Sequence, residues 1–81
     1  MIEKKIKDIL EEKIKNSKVF IRDMNGNQDH FSIIVIASAF KGISMINQHK
    51  MIYSALEDMV TKEIHALQIK TLTWEQWKKE N

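Results

Sequence analysis

The sequence predicts one α+β domain in which helix, strand, strand, helix, strand and helix follow in that order. Three observations predict it. Isoleucines and a leucine recur at helical spacing in the first residues, an Asn-Gly pair separates two β-rich runs, and about 25 residues holding a helix of their own divide the second strand from the third. The chain of 81 residues has room for one small hydrophobic centre and not for two, so residues 1–81 are expected to form a single domain.

The first helix rests on Ile2, Ile6, Ile9, Leu10 and Ile14, which share a stripe through residues 2–16. Glu3 with Lys7 and Glu11 with Lys15 stand four apart with the acid leading, so the intervening charge reads as a solvated face supported by ion pairs. Lys18-Val19-Phe20-Ile21-Arg22 follows as a short strand, and Met24-Asn25-Gly26-Asn27 supplies the positive φ angles of a tight reversal. The second arm of that hairpin, residues 30–38, is the most strand-like segment of the chain. Its apolar residues on both faces from Ile33 onward predict a central position in the sheet.

The chain turns between Ala39 and Gly42. Ser44 then caps a helix whose stripe of Met45, His49, Ile52, Leu56 and Met59 is read as core, with methionine filling gaps. The third strand is Ile64-His65-Ala66-Leu67-Gln68-Ile69-Lys70-Thr71, in which His65, Leu67 and Ile69 share one face. Thr73-Trp74-Glu75-Gln76 spells a capping box that opens a short closing helix with Trp77, Lys78 and Lys79.

The long connection after the second strand suits the crossover of a parallel pair. If these strands are parallel neighbours they begin at the same edge of the sheet, and His30 and His65, which open them, are expected side by side with their backbones about 5 Å apart. Either histidine also suits a half-buried spacer, and the pattern alone does not choose between that and a ligand.

Composition limits the chemistry. An apolar fraction of 43% with 30% charged residues is that of an ordinary globular chain, and a net charge of +2 does not by itself call for a polyanion. Cysteine is absent, so there is no disulfide or thiolate, and a metal would be held by histidine, carboxylate or a partner's ligands. No run approaches a membrane span and the N-terminus lacks the apolar core of a signal peptide. The expected location is the cytoplasm, with no membrane partner and no small-molecule substrate. No nucleophile with an adjacent base is spelled out, so an enzyme is not expected.

Asp29-His30-Phe31 through Phe40-Lys41-Gly42, then Gln48-His49-Lys50-Met51-Ile52-Tyr53, and Ile64-His65-Ala66-Leu67-Gln68-Ile69-Lys70-Thr71 with Trp77 together resemble the BolA-like family over nearly the whole chain. The resemblance implies a fold like a class II KH domain: a three-stranded mixed sheet with helices on one face. It also implies an adaptor in iron-sulfur cluster assembly and trafficking, which pairs with a monothiol glutaredoxin and shares a bridged [2Fe-2S] cluster completed by glutathione. The isolated chain would carry no cofactor. By position, the histidine of the family's His-Ala motif is His65. The second ligand is a cysteine in one branch and a histidine in another, and this chain is similar to the histidine branch, with His30 the matching residue.

Two departures from the family pattern stand out. Gln48-His49 replaces the usual Arg-His pair, which removes a bidentate guanidinium that Lys50 only partly replaces. Trp74 stands where a proline often begins the last helix. His49, on the apolar stripe, is read as a core residue.

The competing reading is a DNA-binding transcription regulator, because KH-like folds bind single strands. The Gly-x-x-Gly clamp is absent, since the only glycines are Gly26 and Gly42. A loose basic surface of Lys41, Lys50, Lys70 and Lys78, with Lys79, is what the sequence offers instead, and dispersed lysines are commonly solvated charge. A mononuclear zinc or copper site at His30 and His65, with Asp29 as a third ligand, is a further alternative.

Overall fold

A computed structural model of the chain describes residues 2–24, 30–57 and 66–80. Its elements are α1 (Ile2–Lys13), β1 (Ser17–Asp23), β2 (His30–Ala37), a 3-10 turn (Ser38–Phe40), α2 (Met45–Leu56), β3 (Ala66–Leu72) and α3 (Trp74–Glu80). The strands form one sheet in the order β1-β2-β3. β1 and β2 pair antiparallel with Val19 opposite Val35, as a hairpin requires. β2 and β3 pair parallel with Ile33 opposite Ile69, so the stretch holding α2 is the predicted crossover. The Asn25-Gly26 reversal lies outside the described residues.

Strand alternation divides the sheet into two faces. Val19, Phe31, Ile33, Val35 and Ala37 point to one of them, where Ile6, Leu10 and Ile14 from the α1 segment and Ile52, Ala55 and Leu56 from α2 close over them with Phe40. Phe31, Ile6, Leu10, Val35 and Ile52 are fully buried, each contributing about 1.5–3 kcal/mol of hydrophobic stabilisation.

The expectation of helices on one face holds for α1 and α2. α3 bears on the opposite face: Trp77 stacks on Phe20 with ring centroids 5.3 Å apart, and Ile36 and Leu72, of the same parity as Phe20, are buried. The reason is local. α3 follows β3 after the single residue Thr73, and its aromatic residues are the apolar material available to cover that end of the sheet.

α1 stops at Lys13, short of the predicted residue 16, and Asn16 with φ 56° takes the left-handed conformation that often follows a helix. Lys15 thus falls outside the helix and the Glu11 pair with it does not form. Glu11 Oε2 instead accepts a hydrogen bond from the Val19 N–H at 3.0 Å. The ion pair within the helix is Lys4 with Asp8 at 2.7 Å. Lys13 Nζ donates to the Ala55 carbonyl at 2.9 Å, satisfying one of the unpaired oxygens at the end of α2.

α2 begins where predicted, with the Ser44 hydroxyl accepting from the Asn47 N–H at 3.3 Å. Its buried face keeps Ile52 and Leu56 of the predicted stripe but is turned away from Met45 and His49 towards Gln48 and Ala55. Gln48, Ile52, Ala55 and Leu56 face inward, while Met45 is 57% exposed. His49 is half-buried and its Nε2 has no hydrogen-bond partner, and Met59 lies outside the described residues. The helix turns this way because Gln48 is drawn inward: its Nε2 donates to the Phe40 carbonyl at 3.2 Å and the Ile43 carbonyl at 2.7 Å. Its Oε1 accepts from the Thr71 hydroxyl. Gly42, with φ +76°, makes the turn that brings those two carbonyls within reach.

The capping box of α3 forms as predicted. Thr73 N–H donates to Gln76 Oε1 at 2.8 Å and Gln76 N–H to Thr73 Oγ1 at 3.2 Å. Trp74 donates from Nε1 to the Asn16 carbonyl at 3.0 Å, which ties the start of α3 to the turn between α1 and β1.

Candidate functional site

His30 is the first residue of β2 and is half-buried. Its carbonyl accepts from the Met24 N–H at 2.8 Å, which closes the described end of the hairpin. Across the parallel pair its register partner is Ala66. His65 is the residue before Ala66 in the chain and lies outside the described residues, as does Asp29. The pairing therefore sets Ala66, the first described residue of β3, beside His30.

Among the described residues no three of His, Asp or Glu come together in a group able to hold a metal ion. Imidazole nitrogen is the ligand this rim supplies from His30, so a metal or cluster held here needs further donors. A lone imidazole fits a group completed by donors from elsewhere and does not fit a site built wholly from the described residues.

Of the four lysines of the predicted basic surface, Lys41 and Lys70 stand beside α3 and Lys78 is in it, whereas Lys50 is on α2. Lys41 Nζ stands 3.7 Å from Glu75 and Lys70 Nζ stands 2.8 Å from Glu80, so α3 compensates both. Lys50 is exposed and lines an open groove of about 660 Å³ between the α1 and α2 ends, with Lys13, Asn47, Met51 and Ser54. Lys78 is exposed in the last turn of α3, beside Lys79.

Three polar positions have roles that the sequence reading did not assign. Gln48 and Thr71 form a buried hydrogen bond between α2 and β3. The signal for it was the departure at Gln48 itself, a polar residue beside an apolar stripe. Arg22 lines a second hollow, of about 290 Å³, with Met24, Ser32 and Gln68 on the sheet face away from α1 and α2. Its signal was the alternation Lys18, Phe20, Arg22 along a strand.

A hairpin followed by a parallel crossover strand, with two helices on one face and a third on the other, defines a small α+β fold with a histidine at the opening of its central strand. The chain belongs to the BolA-like protein family, whose model matches residues 2–76. It is 35% identical over 68 residues to the uncharacterized protein RP812 of Rickettsia prowazekii, covering 84% of this chain and 88% of that one. It is 30% identical over 84 residues to the DNA-binding transcriptional regulator BolA of Vibrio cholerae, covering all of this chain and 79% of that one. Among solved structures, BolA1 of Mus musculus superposes with a TM-score of 0.88 at 27% identity, covering 98% of this chain and 70% of that one. The BolA-like family is not a known enzyme family. Among the described residues, no helix is long and apolar enough to cross a membrane.

Proposed function

We propose that this chain is a cytoplasmic, non-catalytic adaptor in iron-sulfur cluster assembly and trafficking. It pairs with a monothiol glutaredoxin, and His65 and His30 give nitrogen ligands to a [2Fe-2S] cluster bridged to the glutaredoxin and glutathione. The observation that supports this reading best is the parallel pairing of His30 with Ala66, the residue joined to His65. Without cysteine, the chain has imidazole and carboxylate to offer a shared cluster. Imidazole in place of thiolate raises the reduction potential of such a cluster. An imidazole ligand can also be protonated off the iron, which suits cluster transfer.

The test is co-expression with a monothiol glutaredoxin. The expected result is a coloured heterodimer whose visible spectrum changes when His65→Ala is made. A colourless pair, or a spectrum indifferent to His65→Ala, overturns the reading.

A second reading is nucleic-acid binding. It is favoured by the name of the Vibrio cholerae relative, a DNA-binding transcriptional regulator, and by a sheet face whose strands carry lysine and arginine and no acid. Binding that weakens steeply with added salt and responds to lysine or arginine substitutions, but not to His65→Ala, is its expected signature.

A further inference from the structure

Among the described residues, nothing covers the Arg22 end of the sheet face away from α1 and α2. Towards it point Lys18, Phe20 and Arg22 from β1, Ser32 and Ile34 from β2, and Gln68 and Lys70 from β3, by strand alternation and register. Lys18, Arg22 and Lys70 are cations. The strands add no acid to this face, because Asp23 alternates to the other one.

Arg22, Ser32 and Gln68 stand in one row across the three strands, Arg22 opposite Ser32 and Ser32 opposite Gln68. They line the 290 Å³ hollow with Met24. Among the described residues, the Arg22 guanidinium, the Ser32 hydroxyl and the Gln68 amide have no hydrogen-bond or ion-pair partner. Lys70, one row along, already has Glu80 at 2.8 Å. The uncompensated charge on this face is therefore at Arg22 and at Lys18, whose Nζ approaches the Phe20 ring at 5.3 Å.

The face asks for an anion, and the arrangement along β1 says which kind. Lys18 and Arg22 are separated by four residues on one side of the strand, a span of about 13 Å. Phe20 stands between them, 40% exposed and stacked on Trp77. An acidic peptide would use the two cations and leave the aromatic idle. A polynucleotide strand uses both, with phosphates on the cations and a base on the ring. A duplex keeps the flat faces of its bases inside its own stack, so a flat sheet with an exposed aromatic suits a single strand.

We propose that this open sheet face binds single-stranded nucleic acid. Lys18 and Arg22 take phosphates, a base extends the Phe20 and Trp77 stack, and Ser32 and Gln68 hydrogen-bond to the neighbouring nucleotide. The inference rests on the nucleic-acid reading and moves it from Lys50, on α2, to the sheet face away from that helix.

The test is fluorescence anisotropy of a labelled oligothymidylate of about 12 nucleotides, followed from low salt upward. Lys18→Gln and Arg22→Gln are each expected to weaken binding and to flatten the log–log salt slope by about 0.7. Phe20→Leu is expected to weaken binding about fivefold or more, while Lys50→Gln changes nothing. Trp77 emission is expected to fall as the strand is added. If Phe20→Leu fails to fold, the Arg22→Gln result decides, because that side chain supports no other residue. Binding lost in Lys50→Gln or Lys41→Gln but kept in Lys18→Gln and Arg22→Gln overturns the assignment of the face and leaves the nucleic-acid reading standing. No binding at low salt overturns both. Tighter binding of a duplex of the same length overturns the preference for a single strand.

Discussion

Thr71 of β3 donates its hydroxyl hydrogen to Gln48 Oε1 of α2, while the amide nitrogen of the same glutamine donates to the carbonyls of Phe40 and Ile43. One side chain thus joins the crossover helix, the strand that follows it and the turn that precedes it. Gln48→Leu leaves the Ile43 carbonyl without its side-chain donor and the Thr71 hydroxyl with only Met45 Sδ, while the Phe40 carbonyl keeps the Ile43 N–H, and the expected loss is about 1–3 kcal/mol. Thr71→Val, which keeps the shape, is expected to cost about 1–2 kcal/mol. Urea unfolding of the two variants checks this. Equal stability of Gln48→Leu and the parent would mean the three bonds do not form in solution.

Gly42 has φ +76° and no atom within 4 Å of the place a Cβ would occupy. The cost of Gly42→Ala is therefore backbone strain alone, about 1–2 kcal/mol. Gly42→Asn is expected to cost less, because asparagine tolerates the left-handed region. Thermal melts of both variants give the order.

The capping box predicts that Thr73→Ala destabilises α3 by about 1 kcal/mol. The effect is expected to be local. Hydrogen exchange should quicken at the amides of α3, Gln76 among them, while the amides of the central strand β2 keep their protection.

On the cluster reading, removing either imidazole alters the bound chromophore, whereas a compensated surface cation does not. His65→Ala and His30→Ala are each expected to shift or bleach the visible absorption of the glutaredoxin heterodimer, and Lys70→Gln to leave it as it was. A His30→Ala heterodimer with an unaltered spectrum would remove His30 from the ligand set while leaving His65 in it.

Much of the fold was legible because it is written in local chemistry. β-branched runs, the Ser44 cap and the Thr73 and Gln76 box each act within a few residues, and the length of the connection before β3 suited a crossover. The rotation of α2 was not legible. Met45 and His49 look like members of an apolar stripe, and what turns the helix is the need of the Ile43 carbonyl for a donor, which exists only once the turn at Gly42 is made. The side taken by α3 was hidden for a similar reason. Phe20 and Trp77 are 57 positions apart in the sequence, and no periodicity connects them. At the candidate site, the strand openings were read correctly for His30, whereas the residue opposite it in register is Ala66, since parallel register is set by packing across the whole sheet.

The parallel pairing of β2 with β3 also has a kinetic consequence. The hairpin of β1 and β2 joins neighbours in the chain and can zip in microseconds. β3 must wait for a loop spanning the whole of α2 to close, an entropic cost incurred before any contact rewards it. The slow event in folding this protein is then the arrival of β3, and until it arrives the central strand exposes one bare edge to whatever other chain is nearby.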